Sequence, residues 1–117
     1  MQNFKELQIW QKSVEVALVV YNVTKDFPVE ERYGLTAQMR SAAISIPSNI
    51  AEGHMRKTNK DFQQFIAIAR GSGAELETQA LIAFQLKYLS EKNYSFLFNK
   101  IEELAKMLSV FYSKLTS

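Results

Sequence analysis

Few side chains in this sequence are suited to catalysis. There is one histidine, His54, and there is no cysteine. A Ser-His-acid triad would have to use His54, and no serine stands in a Gly-x-Ser-x-Gly elbow. A di-iron bundle needs Glu-x-x-His pairs on facing helices, which one histidine cannot supply. The absence of cysteine removes disulfides and thiolate metal sites and fits a reducing, cytoplasmic setting. No cofactor and no metal are expected. His54 lies in GHMRK, a loop-like run, and reads as a solvated turn residue. Gly71-Ser72-Gly73 resembles a phosphate loop only weakly. It follows helical sequence rather than a strand and has no Lys-Ser/Thr after it, so close helix packing accounts for it better.

Two charged groups remain. Arg56, Lys57 and Lys60, next to His54, fall at a helix-helix turn and near the start of a helix, a favourable place for an anion. Their functional reading is contact with the phosphate backbone of RNA or DNA, repeated on each subunit of an oligomer. The second group is Gln38, Arg40, Asn49, Glu52, Arg70, Glu75 and Glu77, which lie on or near partly apolar faces. With no nucleophile or metal set beside them, they are expected to form a polar network, buried or at an interface, that fixes helix register and subunit contacts. The alternative is a small-ligand or active site at a subunit seam that uses Arg40, Glu52 or Glu75.

The elements that must position these groups are helices. A chain of 117 residues is one domain, 1–117, long enough for a single packed core. The net charge of +2 does not by itself select nucleic acid or an anionic membrane as partner. The N-terminus has no basic region followed by a long apolar run. The most apolar stretch, Val14 to Val23, contains Glu15 and Asn22 and is too short to cross a bilayer. No membrane association is expected.

A first helix is expected over 3–26, opened by a capping box of Asn3 and Glu6. Its inward stripe would be Leu7, Trp10, Val14, Ala17 or Leu18, and Tyr21. Val16, Val19, Val20 and Val23 would lie largely off that stripe and suggest a second buried face against another subunit. Phe27-Pro28 would end the helix. A second helix over 33–53 keeps its apolar stripe through Pro47. It is expected to continue as a kinked helix, with Ser45, Ser48 and Asn49 bonding the freed carbonyls.

A third helix is expected to start at the N-cap Thr58 with Asp61 at N3. If it folds back on the second helix near Met55, Gly71 and Gly73 lie level with Gln38 and Arg40 at a close backbone approach. Glu77 then lies beside the start of the second helix. Ser90 caps a fourth helix that runs to about Leu115 with a heptad of Tyr94, Leu97, Ile101, Leu104, Leu108, Phe111 and Leu115. Four helices with short connections predict an all-α, antiparallel up-down-up-down four-helix bundle.

The residues Tyr33-Gly34-Leu35, Gln38-x-Arg40, the run from Ser45 to Gly53 (SIPSNIAEG), Arg70-Gly71-Ser72 and Glu75-Leu76-Glu77 together carry a resemblance. With the Phe4, Leu7, Trp10 opening and the Phe27-Pro28 turn, it covers nearly the whole chain. The sequence resembles the bacterial four-helix bundle proteins called 23S ribosomal RNA intervening sequence proteins, or the S23 ribosomal protein family. The resemblance implies a non-enzymatic homo-oligomeric ring, a pentamer, that serves as a binding or scaffold module. The family name, taken from reading frames inside inserts of the large ribosomal RNA gene, makes RNA or a ribonucleoprotein the most plausible partner. The alternative is a protein-binding accessory factor that needs no nucleic acid.

Overall fold

The computed structural model describes residues 3–116. The four helices are α1 (Gln8–Thr24), α2 (Leu35–His54), α3 (Asn59–Gln85) and α4 (Glu91–Lys114). Short 3-10 turns at Phe4–Glu6 and Val29–Glu31 precede α1 and α2, and there is no strand among the described residues. α1 packs on α2, α2 on α3, α3 on α4, and α4 closes back on α1. The result is the expected antiparallel four-helix bundle, 44 × 23 × 20 Å. A helix as long as α3 spans about 40 Å at 1.5 Å per residue, so the bundle is one helix long.

The capping box forms as expected. The Asn3 side chain accepts from Lys5 N at 2.8 Å, and Asn3 N donates to Glu6 at 3.3 Å. It closes only one 3-10 turn, because Leu7 is extended (φ −72, ψ 129) and α1 begins again at Gln8. The expected inward stripe of α1 is only partly right: Leu7, Trp10 and Ala17 pack half-buried against the core, but Leu18 and Tyr21 are exposed. The buried positions are Ile9, Ser13, Val16, Val20 and Val23, a spacing of four and three repeated, with Thr24 beside the last. Leu18 is 66 % exposed, whereas Val20 is 0 % exposed. Ser13 disguised this stripe in the sequence. Its buried hydroxyl is satisfied locally by donating to Trp10 O at 2.7 Å. Val16, Val20 and Val23 therefore face the core of their own chain and give no support to a second subunit.

α2 runs unbroken through Pro47. The repair differs from the expected one. Asn49 Nδ2 donates to Ser45 O at 2.8 Å and to Ser45 Oγ at 3.0 Å, rather than to the carbonyl of Ala43 that proline frees, and Ser48 is exposed. Ser45 Oγ in turn pairs with Ser72 Oγ of α3 at 2.9 Å. The start of α2 is held by Glu31, not Glu77. Glu31 Oε1 accepts from Leu35 N at 3.0 Å, and its Oε2 accepts from the Tyr88 hydroxyl at 3.0 Å. That hydrogen bond raises the Tyr88 phenol above its ordinary pKa.

α3 and α4 begin as the sequence indicates. Thr58 Oγ1 accepts from Asp61 N at 3.1 Å, and Ser90 Oγ from Asn93 N at 3.0 Å. Leu97, Ile101, Leu104 and Leu108 of the α4 heptad are buried.

The register of the α2–α3 hairpin decides which glycine matters. Ser45 faces Ser72 and Gly53 faces Phe62 and Phe65, more than a helical turn away from the pairing expected from a fold at Met55. The chain turns over Met55 to Thr58, and those extra residues shift the register. A Cβ at Gly53 would stand 2.7 Å from Phe65 Cβ and 2.8 Å from Phe62 Cδ1. At Gly71 and Gly73 it would meet nothing within 4 Å, so neither marks a close helix approach. Opposite signs follow for one kind of substitution. Gly53→Ala should destabilise by about 1–3 kcal/mol through overpacking. Gly71→Ala should stabilise by about 0.5–1 kcal/mol through helix propensity. Chemical denaturation of both variants measures the contrast.

Candidate functional site

The α2–α3 turn puts the basic group at one pole of the bundle. The C-terminus of α4 reaches the same pole, where Gln63 Nε2 donates to Tyr112 O at 3.2 Å and Phe62 meets Phe111 at 5.3 Å. The segments that converge there carry Lys5, Arg56, Lys57, Lys60 and Lys114 against Glu6, Glu52 and Asp61. Arg56 is engaged: its Nη2 is 3.0 Å from Glu52 Oε2, and its guanidinium lies 4.8 Å from the Phe65 ring centroid. Lys57 and Lys60 are exposed. The amides at the start of α3 are less open to an anion than expected, because Thr58 takes one and Asp61 adds a negative charge. His54 is not a loop residue. It ends α2, half-buried and edge-on to Phe62 at 5.8 Å, with Nδ1 out of solvent.

The polar residues of α2 and α3 do not assemble into one network. Arg40 anchors the end of α1. Its Nε donates to Thr24 Oγ1 at 2.9 Å, its Nη2 to Tyr21 O at 3.4 Å, and its guanidinium lies 4.5 Å from the Tyr21 ring centroid. A cation suits the negative end of a helix. Thr24 passes the interaction on by donating to Val20 O at 2.7 Å. Asn49 serves α2 itself, and Glu52 pairs with Arg56. Gln38 and Glu75 are exposed. The sequence places Arg40 on a partly apolar face but holds no sign that Thr24 is its acceptor, since the two are sixteen residues apart.

Arg70 and Glu77 turn toward α4 and line a cleft of about 440 Å³ between α3 and α4. Arg40, Glu52 and Glu75 are not among its lining residues, so the cleft is not the seam site considered from the sequence. The Arg70 guanidinium rests 5.3 Å from the Tyr112 ring centroid. Glu77 has its pKa raised from the usual 4.5, first by desolvation, then by its hydrogen bond to Glu102 and by that neighbour's charge. Glu102 escaped the sequence reading because it stands outside the a and d positions of the α4 heptad.

No helix among the described residues is long and apolar enough to cross a membrane. No group of three or more His, Cys, Asp or Glu side chains among them could hold a metal.

The fold and the basic pole define a small antiparallel four-helix bundle protein. The model of the 23S rRNA-intervening sequence protein family matches residues 5–110, and the chain belongs to that family. No curated protein matches the sequence. Among solved structures, the chain is similar to a protein with unknown function from the S23 ribosomal protein family of Bacteroides thetaiotaomicron VPI-5482. Identity is 24 %, the match covers 90 % of this chain and 95 % of that one, and the TM-score is 0.83, a likeness of fold.

Glu77 makes stability pH-dependent in a defined direction. Because folding raises its pKa, its favourable contribution is present in acid and is lost as pH rises through the folded value. Glu77→Gln should raise the thermal midpoint at neutral pH, and the gain should vanish below pH 4.5. Melting curves of both proteins across pH provide the check.

Proposed function

We propose that this protein is a non-enzymatic, self-associating scaffold of the cytoplasm that holds RNA by its phosphate backbone at the α2–α3 pole. The observation that carries this reading is the exposed pair Lys57 and Lys60 beside Arg56, at an end of the bundle where cations outnumber acids. The family's name adds a ribosomal RNA context. With a net charge of +2, one subunit offers few phosphate contacts. Repetition of the pole around an oligomer multiplies them, since each neutralised phosphate adds to the affinity through released counterions.

Self-association rests on a face other than the α1 valines. Ile44 of α2 and Ile68, Leu81 and Ile82 of α3 are all more than 40 % exposed. Large apolar side chains left exposed on two adjacent helices favour burial against another copy. A closed ring of five follows from the family resemblance. In light scattering the protein should run as an oligomer, and Ile44→Lys with Ile68→Lys should return it to monomer. A monomeric unaltered protein would overturn this part.

RNA binding should weaken with salt. Lys57→Ala with Lys60→Ala should reduce the slope of log affinity against log salt by roughly 1 per lysine and per subunit engaged. Binding titrations at several salt concentrations give that slope. Absence of binding at low salt, or no response to the substitutions, would leave a protein-only scaffold as the better reading.

A further inference from the structure

The cleft between α3 and α4 is held open by construction. Aromatic pairs space the two helices at both ends: Phe62 meets Phe111 at 5.3 Å, and Phe84 stacks on Tyr94 at 4.5 Å with 10° between the rings. Between these pillars α3 turns Ala67, Gly71 and Ala74 toward α4, side chains too small to fill the gap. The floor is Ile46, Ile101, Leu104 and Leu108, each no more than 2 % exposed. The volume of about 440 Å³ is in the range of small-molecule sites.

The glycines need an explanation that packing does not give. A mid-helix glycine costs about 1 kcal/mol against alanine. Yet a Cβ at Gly71 or Gly73 would touch nothing within 4 Å. What these residues do is leave the trough empty.

The charges at its ends select the occupant. Glu77 lines the trough, and Glu102 of α4 is its close neighbour. Among the described residues neither carboxylate is ion-paired with a Lys or Arg. Two adjacent carboxylates beside an apolar surface repel one another, and a cation between them removes that repulsion. Arg70, seven residues and about 10 Å away along α3, lies over Tyr112 at the other end. It keeps a second cation out of that end and so orients the ligand.

We propose that this trough binds an amphipathic organic cation, its ammonium head between Glu77 and Glu102 and its aliphatic or aromatic body over Ile46, Ile101, Leu104 and Leu108. The site is separate from the basic pole, and its test does not depend on RNA binding or on self-association.

The test uses the full chain and three probes of one length: 1-octylamine, octanoate and 1-octanol. Each is titrated by calorimetry and by amide chemical shifts. Octylamine should bind saturably at one site per chain and at least tenfold more tightly than octanoate or octanol. The double substitution Glu77→Gln with Glu102→Gln should cost at least tenfold for octylamine and leave octanol unchanged. Gly71→Leu, which meets open space, should abolish saturable binding while thermal unfolding stays cooperative. The proposal is overturned by absence of saturable octylamine binding up to millimolar concentration. Equal or tighter binding of octanoate, or octylamine affinity unchanged in either variant, overturns it as well.

Discussion

The bundle depends on how closely α2 and α3 approach at Gly53. There the backbone of one helix lies against the side chains of Phe62 and Phe65 with no room for a methyl group. Side chains in a packed interior have little space to retreat, so that contact sets the register of the hairpin. Ser45 then meets Ser72 further along, and Ile46 and Ile50 fall into the core beside Ile66 and Leu76. The same register brings Phe62 to Phe111 and fixes the spacing of α4. Pro47 sits inside this contact. Its missing backbone bond is tolerated because both faces of the helix around it are held, by Ser45, Asn49 and Ser72 on one side and by the apolar core on the other.

Polar residues in this protein act mostly as local fasteners. Arg40 closes the end of α1, Glu31 joins the start of α2 to Tyr88, and Glu52 is paired with Arg56. Each ties one helix end or one loop to its neighbour. What is left unfastened is more informative. Lys57 and Lys60 are exposed at one pole, and Glu77, with Glu102 beside it, stands at a cleft whose cation, Arg70, lies toward the other end. Surface ion pairs contribute little to stability, so a bundle can carry both features at small cost. The two regions differ in sign and lie on different parts of the molecule.

Much of the fold was legible because its signals are local. The caps at Asn3, Thr58 and Ser90 use side chains within three residues of the amides they hold. The α4 heptad is uninterrupted, and all four of its central positions are buried. The α1 stripe was misread for an equally physical reason. That helix is apolar around most of its girth, and the polar Ser13 occupies a core position where its hydroxyl finds a carbonyl three residues back. Periodicity cannot choose between two apolar faces. Gly71 and Gly73 drew attention as packing glycines, while Gly53 was only the last residue of the expected second helix; their neighbours reverse that emphasis.

The sequence by itself determined the number of helices, where α3 and α4 begin, the family, and the basic cluster at the second turn. Those properties follow from hydrogen bonds and charges set within a few residues of one another. Tertiary structure alone decided which face of α1 is buried, which glycine is irreplaceable, that Arg40 serves Thr24, and that Glu77 answers to Glu102 across an open cleft. Each of these is a contact between residues far apart in the chain. It depends on a register that shifts by more than a turn when one loop is a few residues longer, and no periodicity within a helix encodes that length.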